Sequence, residues 1–495
     1  MRLVGRLGLG LSALLLTGTA ACAKGPTVQA TATAASVEKP VASEPQPVAT
    51  DDGAPKRDTR PVVSTQGVAG WIGTAAESEA MLRSTRETVL GVWVDVPEGR
   101  PRVRPPLDLA LVVDTSGSMA GGKIESARTA ARQLVQNMED GDIVALDTFS
   151  DQARVVIPPT KLDVETRPEI LRAIAALGSG GSTNMFAGLT LGESHMASAP
   201  ATHTVRRVVV ISDGIANVGP STPEALGALA ERGLRFRSQV TSLGVGGDYD
   251  EHTLNALAIR SAGRLYHISD PREMVGTLKH ELELMTGTLA SDAFVEVMPA
   301  PGVQLLGADT MRTEMGENGS LRIPLGPLHG GQHKEALVRV RIHDMRSLEG
   351  KDSRPLASVR LRFRDPSDGD LERIQETVAR ARLTDDPAVV RASENARTKA
   401  IAAIFDIAKT QIQVAQSINQ GQFVDADREL AAAQRKLEQQ ASVTKDEKEK
   451  SRLSQAASSV ATQRSTAARA AAAPKSVQRD EALKMNRAAM DAMGF

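Results

Sequence analysis

The pattern of apolar and polar positions changes character several times along the chain. TVLGVWVDVP (88–97) alternates with the period of two of a strand with one buried face. From 107 to about 285 the pattern becomes apolar runs separated by amphipathic stretches. The runs LDLALVV (107–113), DIVALDTFS (142–150), VRRVVVIS (205–212), QVTSLGV (239–245) and RLYHI (264–268) predict strands. KIESARTAARQLVQNM (123–138) and PEALGALAERG (223–233) predict helices between them. Apolar strands alternating with helices predict a mostly parallel sheet covered on both faces. ARVVIPP (153–159) follows its predecessor after a very short turn, so an antiparallel edge strand is expected there.

Period two returns between 290 and 365 in DAFVEV, SLRIPL, ALVRVRIHD and ASVRLRFRD. These predict a small antiparallel β-sandwich over 286–366. The early strand, in a β segment at 67–106, is expected to join it, which would make the α/β domain (107–285) an insertion in the sandwich. After Asp365-Pro366 the spacing reads as helices at roughly 369–383, 388–420 and 423–441, a helical region over 367–442 broken at Gly421. AQSINQGQFVDADRELAAAQ resembles one hairpin of the tetratricopeptide type, and a single unit is read as a packed hairpin. Residues 443–495 are polar and Ala-rich, expected as a partly disordered tail that closes in a weak amphipathic helix.

The N-terminus carries Arg2 and Arg6, the short apolar stretch LGLGLSALLL and then TGTAAC, a secretory signal over 1–22 too short to span a bilayer. Residues 23–66 have no period and a composition that buries too little to order itself, so they are read as a disordered linker. Cys22 is the only cysteine, so no intramolecular disulfide can form. A lone cysteine at the end of a signal resembles a bacterial lipoprotein, although Thr19 stands where such signals usually carry leucine. That resemblance implies lipidation of Cys22 and an exported chain anchored in a lipid bilayer, at the outer membrane or the periplasmic face. Cleavage after Ala23, at the small-residue site Ala21-Cys22-Ala23, is the alternative. Lys plus Arg number 59 against 60 for Asp plus Glu and aromatics are 2%, which leaves no case for nucleic acid as a partner.

The candidate chemistry sits at strand ends. Asp114 ends the first apolar strand of the α/β region, with Ser116 and Ser118 in the turn after it. Asp213 ends VVVIS, and Thr183 lies in the glycine-rich loop LGSGGSTNM. In an open α/β sheet, ligands bind where strands deliver their C-terminal ends and the winding direction reverses. Two carboxylates and three hydroxyls are hard oxygen donors, suited to Mg²⁺, with Mn²⁺ or Ca²⁺ as alternatives. Alternate spacing lets a curled turn aim Asp114, Ser116 and Ser118 inward while Gly117 relieves crowding.

DTSGSM, GGSTN and ISDG in this order resemble the von Willebrand factor type A (vWA) domain with its metal-ion-dependent adhesion site. The resemblance continues through TSLGVGGDYDEHTLNALA and GRLYHISDPREM, covering about 107–285. It implies a doubly wound, Rossmann-like sheet and metal held by Asp114, Ser116, Ser118, Thr183 and Asp213. It further implies a protein partner presenting Glu or Asp to the metal, and no catalysis. The flanking β region and helical tail resemble bacterial relatives of calcium-activated chloride channel regulators.

Competing readings are blander. DTSGS superficially resembles the DxDxT start of Mg²⁺-dependent phosphatases, but Ser116 replaces the second carboxylate and a hydrolase lacks its general acid. A structural scaffold of an envelope assembly, with the metal as a staple, is a further alternative. GVGGDYDE (244–251) reads as a turn with Asp250 capping a helix, and HGGQH (329–333) as a solvent loop. Arg339, Arg341, Arg360, Arg362 and Arg364 alternate with apolar residues, as on the wet side of a half-buried sheet.

Overall fold

The computed structural model describes residues 62–64 and 70–493, apart from 214, 248, 310–312 and 351. The signal segment, Cys22 and most of the linker lie outside the described residues. Strands β1 (Val62–Ser64), β2 (Ile72–Ala76), β3 (Ala80–Leu82) and β4 (Glu87–Asp95) precede the α/β unit. That unit runs β5 (Leu107–Asp114), α1 (Gly122–Asn137), β6 (Ile143–Phe149), β7 (Ala153–Lys161), α2 (Thr166–Ala175) and α3 (Met185–Ala197). It continues through β8 (Val205–Ser212), α4 (Pro223–Gly233), β9 (Ser238–Val245), α5 (Glu251–Arg260), β10 (Arg264–Ile268) and α6 (Met274–Thr286).

Its sheet has six strands in the order β10-β9-β8-β5-β6-β7, all parallel except β7, which runs against β6 at the edge. β5 is apolar from Leu109 to Val113 because both its faces are covered. Leu107, Leu109, Leu111 and Val113 pack with Ile124, Leu134, Ile170 and Leu278 of α1, α2 and α6. Ala110 and Val112 face Leu189, Leu226 and Leu257 of α3, α4 and α5. Each buried leucine of this kind stabilises the fold by about 2 kcal/mol. From β5 the chain winds outward through β6 and β7, then returns to place β8 on the other side of β5. The winding therefore reverses between the C-terminal ends of β5 and β8.

The chain re-enters the sandwich through β11 (Thr288–Pro299), β12 (Val303–Asp309), β13 (Glu314–Met315), β14 (Leu321–His329), β15 (His333–Ile342), β16 (Arg354–Asp365) and β17 (Leu371–Thr384). One sheet runs β1-β17-β16-β11-β14-β13, with β3 also on β17, and the other β12-β15-β4-β2. Val92, Val94, Val338, Val340, Val295, Val297 and Leu361 form the apolar layer between them. β4 pairs with β15, so the α/β unit is inserted between sandwich strands.

Of residues 369–383, read as helical from sequence, all from Leu371 onward lie instead in the long strand β17. LERIQETVARARLT is rich in helix formers, but its long side chains find cross-strand partners: Arg360 binds Glu376 at 3.0 Å and Arg362 binds Glu372 at 2.8 Å. Tertiary pairing overrides local propensity here. The same contacts account for the alternating arginines: Arg341 binds Glu87 at 2.8 Å and Arg339 lies 3.2 Å from Asp309.

Helices α7 (Pro387–Ala392), α8 (Ala396–Asn419), α9 (Phe423–Val443), α10 (Glu447–Ala470) and α11 (Lys475–Ala492) complete the chain. The segment read as a partly disordered tail is helical in α10 and α11. Small side chains carry its packing: Leu453, Ala457, Val460 and Ala467 close onto Phe405, Leu430 and Leu437. α8 lies on the sandwich, sharing a core with Val89, Trp93 and Leu337, and α11 reaches the α/β unit, where Leu483 is buried. No described helix is long and apolar enough to cross a membrane.

Candidate metal centre

The site forms where β5 and β8 end. Asp114 is fully buried; its Oδ1 accepts from the Ser116 backbone N–H at 2.8 Å and its Oδ2 from the Ser212 hydroxyl at 2.5 Å. The turn then curls into a short 3₁₀ segment, Gly117–Met119, with Met119 buried in the core as its anchor. Ser116 Oγ lies 3.1 Å from Ser118 Oγ, and Ser118 Oγ donates to Asp213 Oδ1 at 2.8 Å. A continuous hydrogen-bonded chain thus joins Asp114, Ser116, Ser118 and Asp213.

Thr183 arrives on the second loop, which is stitched to the first through the backbone. Gly117 N–H donates to Gly181 O at 3.0 Å and Gly180 N–H to Thr115 O at 2.7 Å. Asn217 fixes Thr183 from the other side: its Oδ1 accepts from Thr183 N–H at 2.9 Å and its N–H donates to Thr183 O at 3.0 Å. Asn184 then caps α3, accepting from Ala187 N–H at 3.1 Å. α3 lies close on the sheet because Gly192 faces it: a Cβ there would stand 2.8 Å from Val208 and 2.9 Å from Val112.

Burial pushes the Asp114 carboxyl above its usual range, hydrogen bonds from Ser116 and Ser212 oppose the rise, and the charge of Asp213 adds to it. Asp213 is also buried, at 2% exposure, while Gly117 and Ser118 are exposed, so the cluster opens to solvent on their side. Two buried carboxylates next to one another favour a neutralising cation; the Lys123 ammonium already meets Asp213 Oδ2, and the other groups around the pair are hard oxygens. The donor set therefore fits a divalent ion such as Mg²⁺. Among the described residues there is no group of three or more His, Cys, Asp and Glu that could hold a metal ion.

Sequence reasoning singled out the five oxygen donors and missed their supports. Ser212, Asn217 and Lys123, whose ammonium is bonded to Asp213 Oδ2, escaped notice. Ser212 stands beside Asp213 in VVVISDG, the one available hint. Asp250 caps α5 by accepting from His252 and Thr253 backbone N–H. HGGQH is not a simple solvent loop: His329 is buried at the seam with the sandwich, 2.6 Å from Arg264 Nη2. Burial, aided by the Arg264 and Arg207 charges, lowers its imidazole to about 3, so it is neutral.

Fold and site together define a doubly wound α/β domain with an oxygen-donor cluster where its winding reverses, and comparison with known proteins agrees on the fold. Residues 108–280 match the family described as von Willebrand factor type A domain. This segment of the chain is a vWA domain. The chain is 27% identical over 276 residues to "Uncharacterized protein sll0103" of Synechocystis sp., covering 54% of this chain and 63% of that protein. It is 30% identical over 186 residues to inter-alpha-trypsin inhibitor heavy chain H3 of Homo sapiens, covering 35% of this chain and 20% of that one. The chain thus spans less than two thirds of these relatives. A solved structure, "von Willebrand factor type A from Catenulispora acidiphila", superposes with TM-score 0.65 at 16% identity, over 85% of this chain and 96% of that one. Proteins with this domain are typically interaction or adhesion modules, and such domains often bind a divalent metal.

Proposed function

We propose that this chain is a non-enzymatic binding module of a bacterial cell envelope. Its vWA domain would hold Mg²⁺ on Asp114, Ser116, Ser118, Thr183 and Asp213 and capture a protein partner through a Glu or Asp side chain. The observation that carries the reading is the hydrogen-bonded chain Asp114–Ser116–Ser118–Asp213 at the point where the sheet reverses its winding. When bound, the ion supplies a Lewis-acidic position for an incoming carboxylate. Asp114 and Asp213 furnish the charge that retains it, and the neutral hydroxyls leave it receptive to a further anionic oxygen. Ser212 and the Ser116 N–H hold the Asp114 carboxylate in one orientation, and the opening beside Gly117 and Ser118 sets the direction of approach.

The tether forms part of the same proposal: lipidation of Cys22 would hold the domain at the membrane, with 23–66 as spacer. Calorimetric titration of Mg²⁺ and Mn²⁺ into the wild type and Asp114→Asn tests the metal reading; saturable binding lost in the variant supports it, and equal binding in both sinks it. Membrane fractionation of Cys22→Ser tests the anchor: release into the soluble envelope fraction is expected, and unchanged membrane association overturns it.

A further inference from the structure

Lys123 is the second residue of α1, one turn beyond the Asp114 loop, and its ammonium is bonded to Asp213 Oδ2. The place is an awkward one for a cation. The first turn of a helix carries the positive end of its dipole, where lysine is disfavoured. No local helix preference therefore explains the residue, and its counterpart must be the carboxylate it reaches. The other oxygen of that carboxylate, Oδ1, accepts from Ser118, so both oxygens of Asp213 are engaged. The Lys123 side chain is 31% exposed whereas the Asp213 side chain is fully enclosed, so the ammonium approaches from the solvent side and has water to return to. The loop after β9 borders it: a Cβ on Gly246 would stand 3.7 Å from Lys123 Cε.

We propose that Lys123 is a built-in competitor for the divalent ion, a specificity-determining residue that sets the concentration at which the site loads. This inference rests on the metal reading above. The ammonium neutralises Asp213 as long as it is bonded to Oδ2. A divalent ion that draws on the same carboxylate must displace that bond or share the oxygen with a like charge, and either outcome weakens its binding. The displaced ammonium stays on a short tether beside the cluster, a second positive group near the position of an arriving acidic side chain. Loading with metal and readiness for an acidic ligand are thereby coupled through one side chain.

The test is calorimetric titration of Mn²⁺ into the full chain as wild type, Lys123→Met, Lys123→Gln and Lys123→Arg. Removing the charge should tighten Mn²⁺ binding about tenfold, the scale of a partly enclosed ion pair, while Lys123→Arg keeps wild-type affinity. Without metal, Lys123→Met should melt below the wild type, and Mn²⁺ should raise its melting temperature by more than it raises that of the wild type. In an Asp213→Asn background the effect of Lys123→Met on the metal-free melting temperature should vanish, because the pair it breaks is already gone. If the wild type binds Mn²⁺ and both neutral variants bind it equally or more weakly, Lys123 supports the site and the competitor role is overturned. A wild type that binds no Mn²⁺ overturns the metal reading and this inference with it.

Discussion

Glu193 on α3 offers a prediction whose size follows from its surroundings. It is 6% exposed, faces Ser238 at the start of β9, and leaves no room for a side chain at Gly233. Burial pushes its carboxyl from 4.5 up to about 8, a rise that the nearby Ser238 hydroxyl only partly opposes. Below pH 4.5 the group is protonated in both folded and unfolded chains and contributes no pH dependence. Between 4.5 and 8 the folded chain keeps a proton that the unfolded chain has released, so stability falls as pH rises. At about 1.4 kcal/mol per tenfold change in proton activity, the loss at pH 7 is about 3 kcal/mol. Glu193→Gln keeps the shape and removes the titration. It should match the wild type below pH 4.5 and melt higher at pH 7, by on the order of 5–10 °C for a domain of this size. Scanning calorimetry of both proteins across this range measures the difference. Parallel curves of melting temperature against pH from 4.5 to 8 would refute the assignment of a neutral, enclosed carboxyl.

Other perturbations bear on the joints and the site. Glu281 and Arg207 are both buried with Nε–Oε1 at 3.3 Å, so Glu281→Gln strands a guanidinium and should cost about 3–5 kcal/mol in denaturant unfolding; a loss below about 1 kcal/mol would show that Arg207 finds water. Gly192→Val forces α3 off Val208 and Val112, and should destabilise by about 1–3 kcal/mol. Because α3 follows Thr183 directly, Gly192→Val should also weaken Mn²⁺ binding in calorimetry, and unchanged affinity would separate α3 seating from the metal centre. Mg²⁺ at a hundredfold excess over its dissociation constant should stabilise the wild type by about 2.7 kcal/mol and Asp213→Ala by none; equal melting shifts in the two would place the ion elsewhere.

What could be read in advance divides by the range of the forces involved. β5 was legible because both of its faces are covered, so every position from Leu107 to Val113 had to be apolar apart from Asp108. The meeting of Asp114, Ser116, Ser118 and Asp213, with the Thr183 loop stitched beside them, was legible because the spacing within each loop is local. β17 was not, since its alternating charges are explained only by Arg360 and Arg362 on a strand that must first be placed beside it. α10 was misread because alanines replace larger residues on its packed face, and small side chains signal burial weakly. Ser212, Asn217 and Lys123 were invisible for a third reason: each acts on a donor through one hydrogen bond set by the meeting of loops, with no motif of its own.

The insertion of the vWA domain into the sandwich has a directional logic. The contacts to the sandwich come from the N-terminal ends of the parallel strands and from α6. Arg237, just before β9, binds Asp370 at 2.8 Å and lies 4.0 Å from Asp292 in β11. Arg264, at the start of β10, meets His329 of β14 and lies 3.7 Å from Glu281 of α6. Arg237, Asp292 and Asp370 all adopt left-handed backbone conformations that side chains normally avoid, a cost accepted where the partners over-determine the joint. The cluster of Asp114, Ser116, Ser118 and Asp213 occupies the opposite, C-terminal edge of the same strands. A parallel sheet separates these two edges by the length of its strands, so the sandwich holds one edge while α11 meets the other only beside β9 and β10, where Asp480 binds His267 and Ser269 and Arg479 binds Tyr249 O. Anchoring through the sandwich therefore leaves the Asp114 and Asp213 end of β5 and β8 on the edge away from the sandwich, the orientation that the proposed capture of an external acidic group would need.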